Sequence, residues 1–71
     1  LFKKDLNKIC SKINEESQEV IKAAKKESQK RLTEESVDLI YHLFVLLAEK
    51  NISIEQIENE ILTRRKKHTT R

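Results

Sequence analysis

Apolar residues first recur along this chain at the spacing of an amphipathic helix, and then, past the midpoint, occupy nearly every position. Leu6, Ile9, Ile13, Val20 and Ala23 fall on one helical face, with Cys10 and Ala24 widening the stripe. The pattern predicts a first helix over residues 4–26. Glu16 takes the beat between Ile13 and Val20. A carboxylate in a packing seam costs stability unless it is paired or bound, so this position breaks a local rule. The polar run over residues 25–29 is where a hairpin can turn, and a second helix is expected from about residue 28 to residue 50. Its first half is amphipathic, with Leu32 and Leu39 facing inward; residues 39–48 are apolar on almost every side. A helix apolar all round needs cover all round. One partner helix in a chain of 71 residues cannot supply that, so packing against another subunit is expected. Asn51 ends the second helix, because Asn tolerates the left-handed conformation found there. Ser53-Ile54-Glu55-Gln56 is a capping-box pattern that opens a third helix, with Ile54, Ile57 and Ile61 on one face. Residues 67–71 are expected to form a loose tail.

Composition sharpens this picture. There is no Gly and no Pro, and 38% of residues are charged, which suits helices joined by short polar turns. The reading is a single all-α domain over residues 1–71: an antiparallel helical hairpin plus a third helix, dimerising into a multi-helix bundle. A chain this short buries only ~60% of its unfolded surface. With Cys10 as the sole cysteine there is no internal disulfide to help, so a shared core is the expected source of further stability. The longest apolar run is too short to span a bilayer, and no signal peptide is visible, so a cytoplasmic protein without a membrane partner is expected. Asn51-Ile52-Ser53 matches a glycosylation sequon, a triplet common by chance. The chain begins at Leu1 without an initiator Met, so a further N-terminal piece is expected. The net charge of +3 is concentrated in Arg64, Arg65, Lys66, Lys67 and Arg71. With no aromatic interleaved, that run gives generic electrostatics only, and no nucleic-acid partner is expected.

Two acidic clusters carry the candidate chemistry: Glu15-Glu16-Ser17-Gln18-Glu19 and Glu34-Glu35-Ser36-Val37-Asp38. Glu16 and Glu19 are three apart, as are Glu35 and Asp38, so each pair shares a helix face. A turn centred on residue 27 sets Glu16 opposite Asp38 and Glu19 opposite Glu35. Four carboxylates at two matched levels repel one another unless cations sit among them. Mg²⁺ is a hard cation that takes a few carboxylates and completes its octahedron with water and phosphate oxygens. Such an ion also bridges acidic side chains to a phosphorylated substrate and activates a bound water. Lys8, Lys12, Lys22 and Lys25 on the first helix are candidates to hold phosphate oxygens as point charges.

The competing reading is a solvated acidic face decorated with Glu–Lys pairs on a non-catalytic oligomerisation module. A carboxylate-bridged di-iron bundle would want Glu-x-x-His pairs, and neither cluster has one. His42, four residues after Asp38, shares its face, but such a histidine is more often a core residue than a catalyst. Tyr41 reads as packing with its hydroxyl on a partner, and Cys10 as a small buried apolar residue.

The pattern Glu15-Glu16-x-x-Glu19, spacer, Glu35-x-x-Asp38 resembles that of the all-α, MazG-like nucleotide pyrophosphohydrolases. The match is closer to the phosphoribosyl-ATP pyrophosphohydrolases of histidine biosynthesis. That family has a Lys-x-Gly-Glu-Glu-Ala-x-Glu-Val segment, then Ala-Ala-Lys, then Glu-Glu-Ala-x-Asp-Leu-x-Tyr-His-x-x-Val-Leu-Leu. The counterparts here are Lys12 to Val20, Ala23-Ala24-Lys25, and Glu34 to Leu47. The resemblance implies Mg²⁺-dependent hydrolysis of 1-(5-phosphoribosyl)-ATP to 1-(5-phosphoribosyl)-AMP and pyrophosphate by a helical homodimer or higher homo-oligomer. It implies Glu16, Glu19, Glu35 and Asp38 as metal ligands. Glu15 would join Glu16 in catalysis, supporting a ligand or positioning water. Lys12, Lys25 and His42 would contact substrate, with Tyr41 and His42 also shaping the site or the dimer core. A relative acting on other nucleoside triphosphates with the same metal site is the alternative. The family's Gly before the acidic pair is Asn14 here, and two of its Ala positions are Ser17 and Ser36. Its N-terminal Ser-Tyr-Thr segment and the basic stretch with it lie ahead of the match, so their substrate contacts have no counterpart among these residues.

Overall fold

A computed structural model of the chain describes residues 5–68, with side chains as far as Lys66. Three helices account for nearly all of it: α1 (Leu6–Lys26), α2 (Gln29–Glu49) and α3 (Ile54–His68). The first helix starts two residues later than its apolar stripe suggests. Asp5 stops it by serving as N-cap, its Oδ1 accepting the Asn7 N–H at 2.9 Å. Only Glu27 and Ser28 separate α1 from α2. Glu27 takes an extended backbone while its N–H still donates to the Ala23 carbonyl at 3.0 Å. Ser28 then caps α2, its hydroxyl accepting the Arg31 N–H at 3.2 Å. So tight a connection forces the two 21-residue helices to run antiparallel.

The end of α2 is a Schellman motif. Asn51 adopts φ 61°, the Ile52 N–H donates to the Leu47 carbonyl at 2.8 Å, and the Asn51 N–H to the Ala48 carbonyl at 3.1 Å. The capping box at Ser53 is complete. The Gln56 N–H donates to the Ser53 hydroxyl at 3.1 Å, and the Ser53 N–H to Gln56 Oε1 at 2.8 Å. Helix α3 extends through His68, and the remainder of the expected loose tail, residues 69–71, lies outside the described residues.

Among the described residues α1 and α2 pack on each other and α3 packs on neither. The described chain is correspondingly flat, 37 × 36 × 16 Å, little more than one helix thick, with α3 projecting from the hairpin. The hairpin's seam is lined by Ile9, Ile13, Val20 and Ala23 of α1 and by Leu32, Leu39 and Leu46 of α2, with Ile9 and Ala23 buried. Cys10 is exposed, not buried as its place in the stripe suggests. It lies about 100° round the helix from Ile9, beyond the arc that one neighbouring helix covers. Ala24 is exposed beside Ala23 for the same reason. No helix among the described residues is long and apolar enough to cross a membrane.

Candidate metal and phosphate site

The seam carries charge at its centre. Glu35 is the buried charged residue of the described chain, only 8% exposed, and the Glu16 side chain retains 12% of its surface. With Asp38 they form a trio: one carboxylate oxygen from each lies within 4.8 Å of the others. Carboxylates at that separation repel one another, although water screens the exposed Asp38. The fold therefore gathers negative charge that nearby cations offset.

Two cationic side chains reach into it. Lys12 Nζ is 2.9 Å from Glu15 Oε1 and 3.6 Å from Glu16 Oε2. The hydrogen bond to Glu15, reinforced by the charges of Glu15 and Glu16, raises the Lys12 ammonium above the ordinary lysine range. Arg31 spreads its guanidinium over three carboxylates: Nε to Glu27 at 3.5 Å, one terminal nitrogen to Glu34 at 2.7 Å, the other to Glu35 at 2.5 Å. The bond to Glu34 and the charge of Glu35 raise it above the usual arginine value. Asp38 makes no ion pair among the described residues.

The donor chemistry fits a hard divalent ion. All three donors are carboxylate oxygens, on two helices tied by a two-residue turn. Small rotamer adjustments would bring the trio onto one such ion, which would keep positions for water and phosphate oxygens. Glu19 does not join at this distance. It is partly exposed on α1, three residues beyond Glu16, and falls outside the trio.

Next to the trio, toward the open end of the hairpin, lies an open cleft of about 490 Å³. Lys8, Ser11, Lys12 and Glu15 form its α1 wall; Tyr41, His42 and Val45 form its α2 wall, with Ile9 at its base. His42 is half-buried, one turn beyond Asp38, and its ring meets the edge of Tyr41 at 5.2 Å. Tyr41 itself is 62% exposed. Lys25 is not on the cleft; thirteen residues beyond Lys12, it is about 20 Å further along α1, near the turn. Ser17 and Ser36 are half-buried on the two helices beside the trio, and the Ser17 hydroxyl donates to the Asn14 carbonyl at 2.8 Å.

The site therefore gathers Lys12, Glu15, Glu16, Glu35, Asp38 and His42 and leaves Glu19 and Lys25 to the side. Arg31 was missed by the sequence reading; its spacing of three and four residues before Glu34 and Glu35 is the signal that could have found it.

Comparison with known proteins bears on this arrangement directly. The family model described as Phosphoribosyl-ATP pyrophosphohydrolase matches residues 1–65. This chain belongs to that family. It is 51% identical over 67 residues to a phosphoribosyl-ATP pyrophosphatase of Clostridium botulinum (strain Kyoto / Type A2), covering 94% of this chain and 61% of the relative. It is 53% identical over 64 residues to the protein of that name from Bacillus thuringiensis (strain Al Hakam), covering 90% of this chain and 60% of the relative. The histidine biosynthesis bifunctional protein HisIE of Caldanaerobacter subterraneus subsp. tengcongensis is 49% identical over 67 residues, covering 94% of this chain and 33% of that longer protein. The chain thus spans about 60% of the length of its single-activity relatives. Every element of the trio and cleft lies within the part that the pyrophosphohydrolase family model matches.

Proposed function

We propose that this chain is the metal-binding hairpin of an enzyme that hydrolyses 1-(5-phosphoribosyl)-ATP to 1-(5-phosphoribosyl)-AMP and pyrophosphate, the second step of histidine biosynthesis, in the cytoplasm. The observation that carries it is the carboxylate trio of Glu16, Glu35 and Asp38 beside a cleft walled by Lys12, in a chain of the phosphoribosyl-ATP pyrophosphohydrolase family.

Glu16, Glu35 and Asp38 would hold Mg²⁺, with Glu19 adding a carboxylate from the neighbouring position on α1. Such an ion would supply neutralisation of phosphate charge and activation of a water. Lys12 moves from its carboxylate partners to the phosphate chain. Glu15, on the same cleft wall, positions the attacking water. His42 and Tyr41 shape the wall against which the nucleotide lies. The bridge between the α- and β-phosphorus atoms breaks, water supplies the new oxygen, and pyrophosphate leaves. Lys25 contributes only as a distant positive charge near the turn.

The working unit is a homodimer or higher homo-oligomer. Val37, Ile40, Tyr41 and Phe44 form a second apolar stripe on α2, each 49–62% exposed, and α1 covers the other side of that helix. A second copy supplies what one hairpin cannot.

The test is pyrophosphate release from phosphoribosyl-ATP by the full-length protein, with Mg²⁺ and with chelator. Metal-dependent release is expected. Release from common nucleoside triphosphates but not from phosphoribosyl-ATP would keep the metal site and overturn the pathway assignment. No release from either would favour a non-catalytic oligomerisation module.

A further inference from the structure

Arg31 does not line the cleft, yet its guanidinium contacts the carboxylates of Glu27, Glu34 and Glu35. Its three contacts span two tasks. Glu27 belongs to the turn, where it caps α1 and lies 3.9 Å from Lys22; Glu35 is the buried member of the carboxylate trio. One planar guanidinium therefore ties the hairpin turn to a carboxylate at the centre of the seam. Arg31 bonds Glu35 through Oε2. A carboxylate has several acceptor positions, so an arginine on one oxygen fixes its plane and leaves the other free. Carboxylates that ligate metals are commonly held in this way, and loss of the holding group weakens metal binding about 10- to 100-fold.

We infer that Arg31 is a positioning residue for the metal site: it orients the Glu35 carboxylate toward Glu16 and Asp38. This rests on the metal reading above. Two effects oppose each other. A nearby positive charge disfavours a dication, whereas a fixed ligand favours it. The guanidinium is half-exposed, its side chain retaining 48% of its surface, so water screens its repulsion. Its hydrogen bond is made inside the seam, on a carboxylate with 10% of its surface left, where orientation is lost once the bond is gone. Orientation should win.

The experiment titrates Mn²⁺ into the full-length protein, following the free ion by electron paramagnetic resonance, for wild type, Arg31→Gln, Arg31→Lys, Glu34→Gln and Glu16→Gln. Arg31→Gln should weaken binding about 10-fold, and Arg31→Lys, which keeps the charge but not the fork, by an intermediate factor. Glu34→Gln removes the 2.7 Å surface bond to the same guanidinium and should leave binding within about twofold. Unchanged or tighter binding in Arg31→Gln overturns the inference and makes Arg31 a competitor or a bystander. An equal loss in Glu34→Gln also overturns it, because the effect is then one of general helix surface. If Arg31→Gln does not fold, Arg31→Lys against Glu34→Gln decides alone. Failure of the metal site itself reads differently: Glu16→Gln then binds Mn²⁺ as wild type does.

Discussion

Lys12 Nζ stands 3.6 Å from the Glu16 carboxylate while lining the cleft, so a single side chain joins the seam to the open wall. A cation held by Glu16 would take over one of the two contacts that hold Lys12 and would free its ammonium for a phosphate group. Lys12→Gln is accordingly expected to raise KM for phosphoribosyl-ATP about 10-fold, the scale of one charge-assisted hydrogen bond, with a smaller change in kcat. Steady-state kinetics at saturating Mg²⁺ check this. A loss confined to kcat would place Lys12 on the transition state rather than on the bound substrate.

Asp38 differs from its two companions. Glu16 has Lys12 and Glu35 has Arg31, but Asp38 has no cation partner among the described residues, although it lies within 4.8 Å of both. Asp38→Asn therefore removes repulsion without breaking a pair. The metal-free protein should gain about 0.5–1 kcal/mol, read from urea unfolding in chelator, while Mg²⁺-dependent turnover collapses. A destabilised metal-free mutant would mean that Asp38 makes a stabilising contact of its own.

Glu16 and Glu19 should separate in strength. Glu16 is in the trio; Glu19 is one turn further along α1 and would reach a shared ion only with a rotated side chain. Glu16→Gln should abolish measurable turnover, and Glu19→Gln should weaken metal binding by about 10-fold or less. Mn²⁺ titration of both mutants distinguishes them, and equal losses would give Glu19 a full place in the coordination shell.

These contrasts mark what the residue pattern could reveal. The stripe from Ile9 to Ala23, the polar run near residue 27 and the Ser53 capping box led to helices that end within two residues of their expected limits. Glu16 stood out as a candidate because a charge on the packing face violates the pattern that surrounds it, and the fold sets it beside Glu35 and Asp38. That Glu19 stands outside this trio was not legible. Matching residues across a hairpin treats helices as ladders, but side chains three apart differ by about 60° in direction, so packing decides which of each pair meets the other helix's carboxylates. Arg31 was hidden because charges three or four apart on a helix are ordinary, and only the burial of Glu35 makes this set consequential. Periodicity also shows that α3 has an apolar face without showing what covers it, and neither α1 nor α2 does.

Asn51 offers a prediction about the frame rather than the chemistry. Its φ of 61° closes the Schellman motif that turns the chain from α2 toward α3. An alanine there must place its Cβ in the left-handed region, at a cost of about 1 kcal/mol, whereas glycine should be neutral within about 0.5 kcal/mol. Thermal unfolding of Asn51→Ala and Asn51→Gly provides the comparison. Equal melting temperatures would show that this joint contributes nothing to the cooperative unit.

The outer stripe of α2 should decide the assembly. Val37, Ile40, Tyr41 and Phe44 recur at helical spacing on the side of α2 away from Ile9 and Ala23, and Phe44 is 50% exposed. A long apolar strip on a thin hairpin is expensive to leave in water, since burying a large apolar side chain fully is worth about 1.5–3 kcal/mol. A second copy offers the same strip in return, which is the geometry of an isologous two-fold contact. Phe44→Glu places a charge at the middle of that strip, far from Glu16 and Lys12 in sequence. Light scattering should show the wild-type protein as a dimer or larger and the mutant shifted toward monomer, with lower melting temperature at low protein concentration. Because Tyr41 belongs both to the strip and to the cleft, dissociation should also lower turnover. A mutant that stays oligomeric and active would move the interface to another surface, with the exposed Ile54, Ile61 and Leu62 of α3 the next to test.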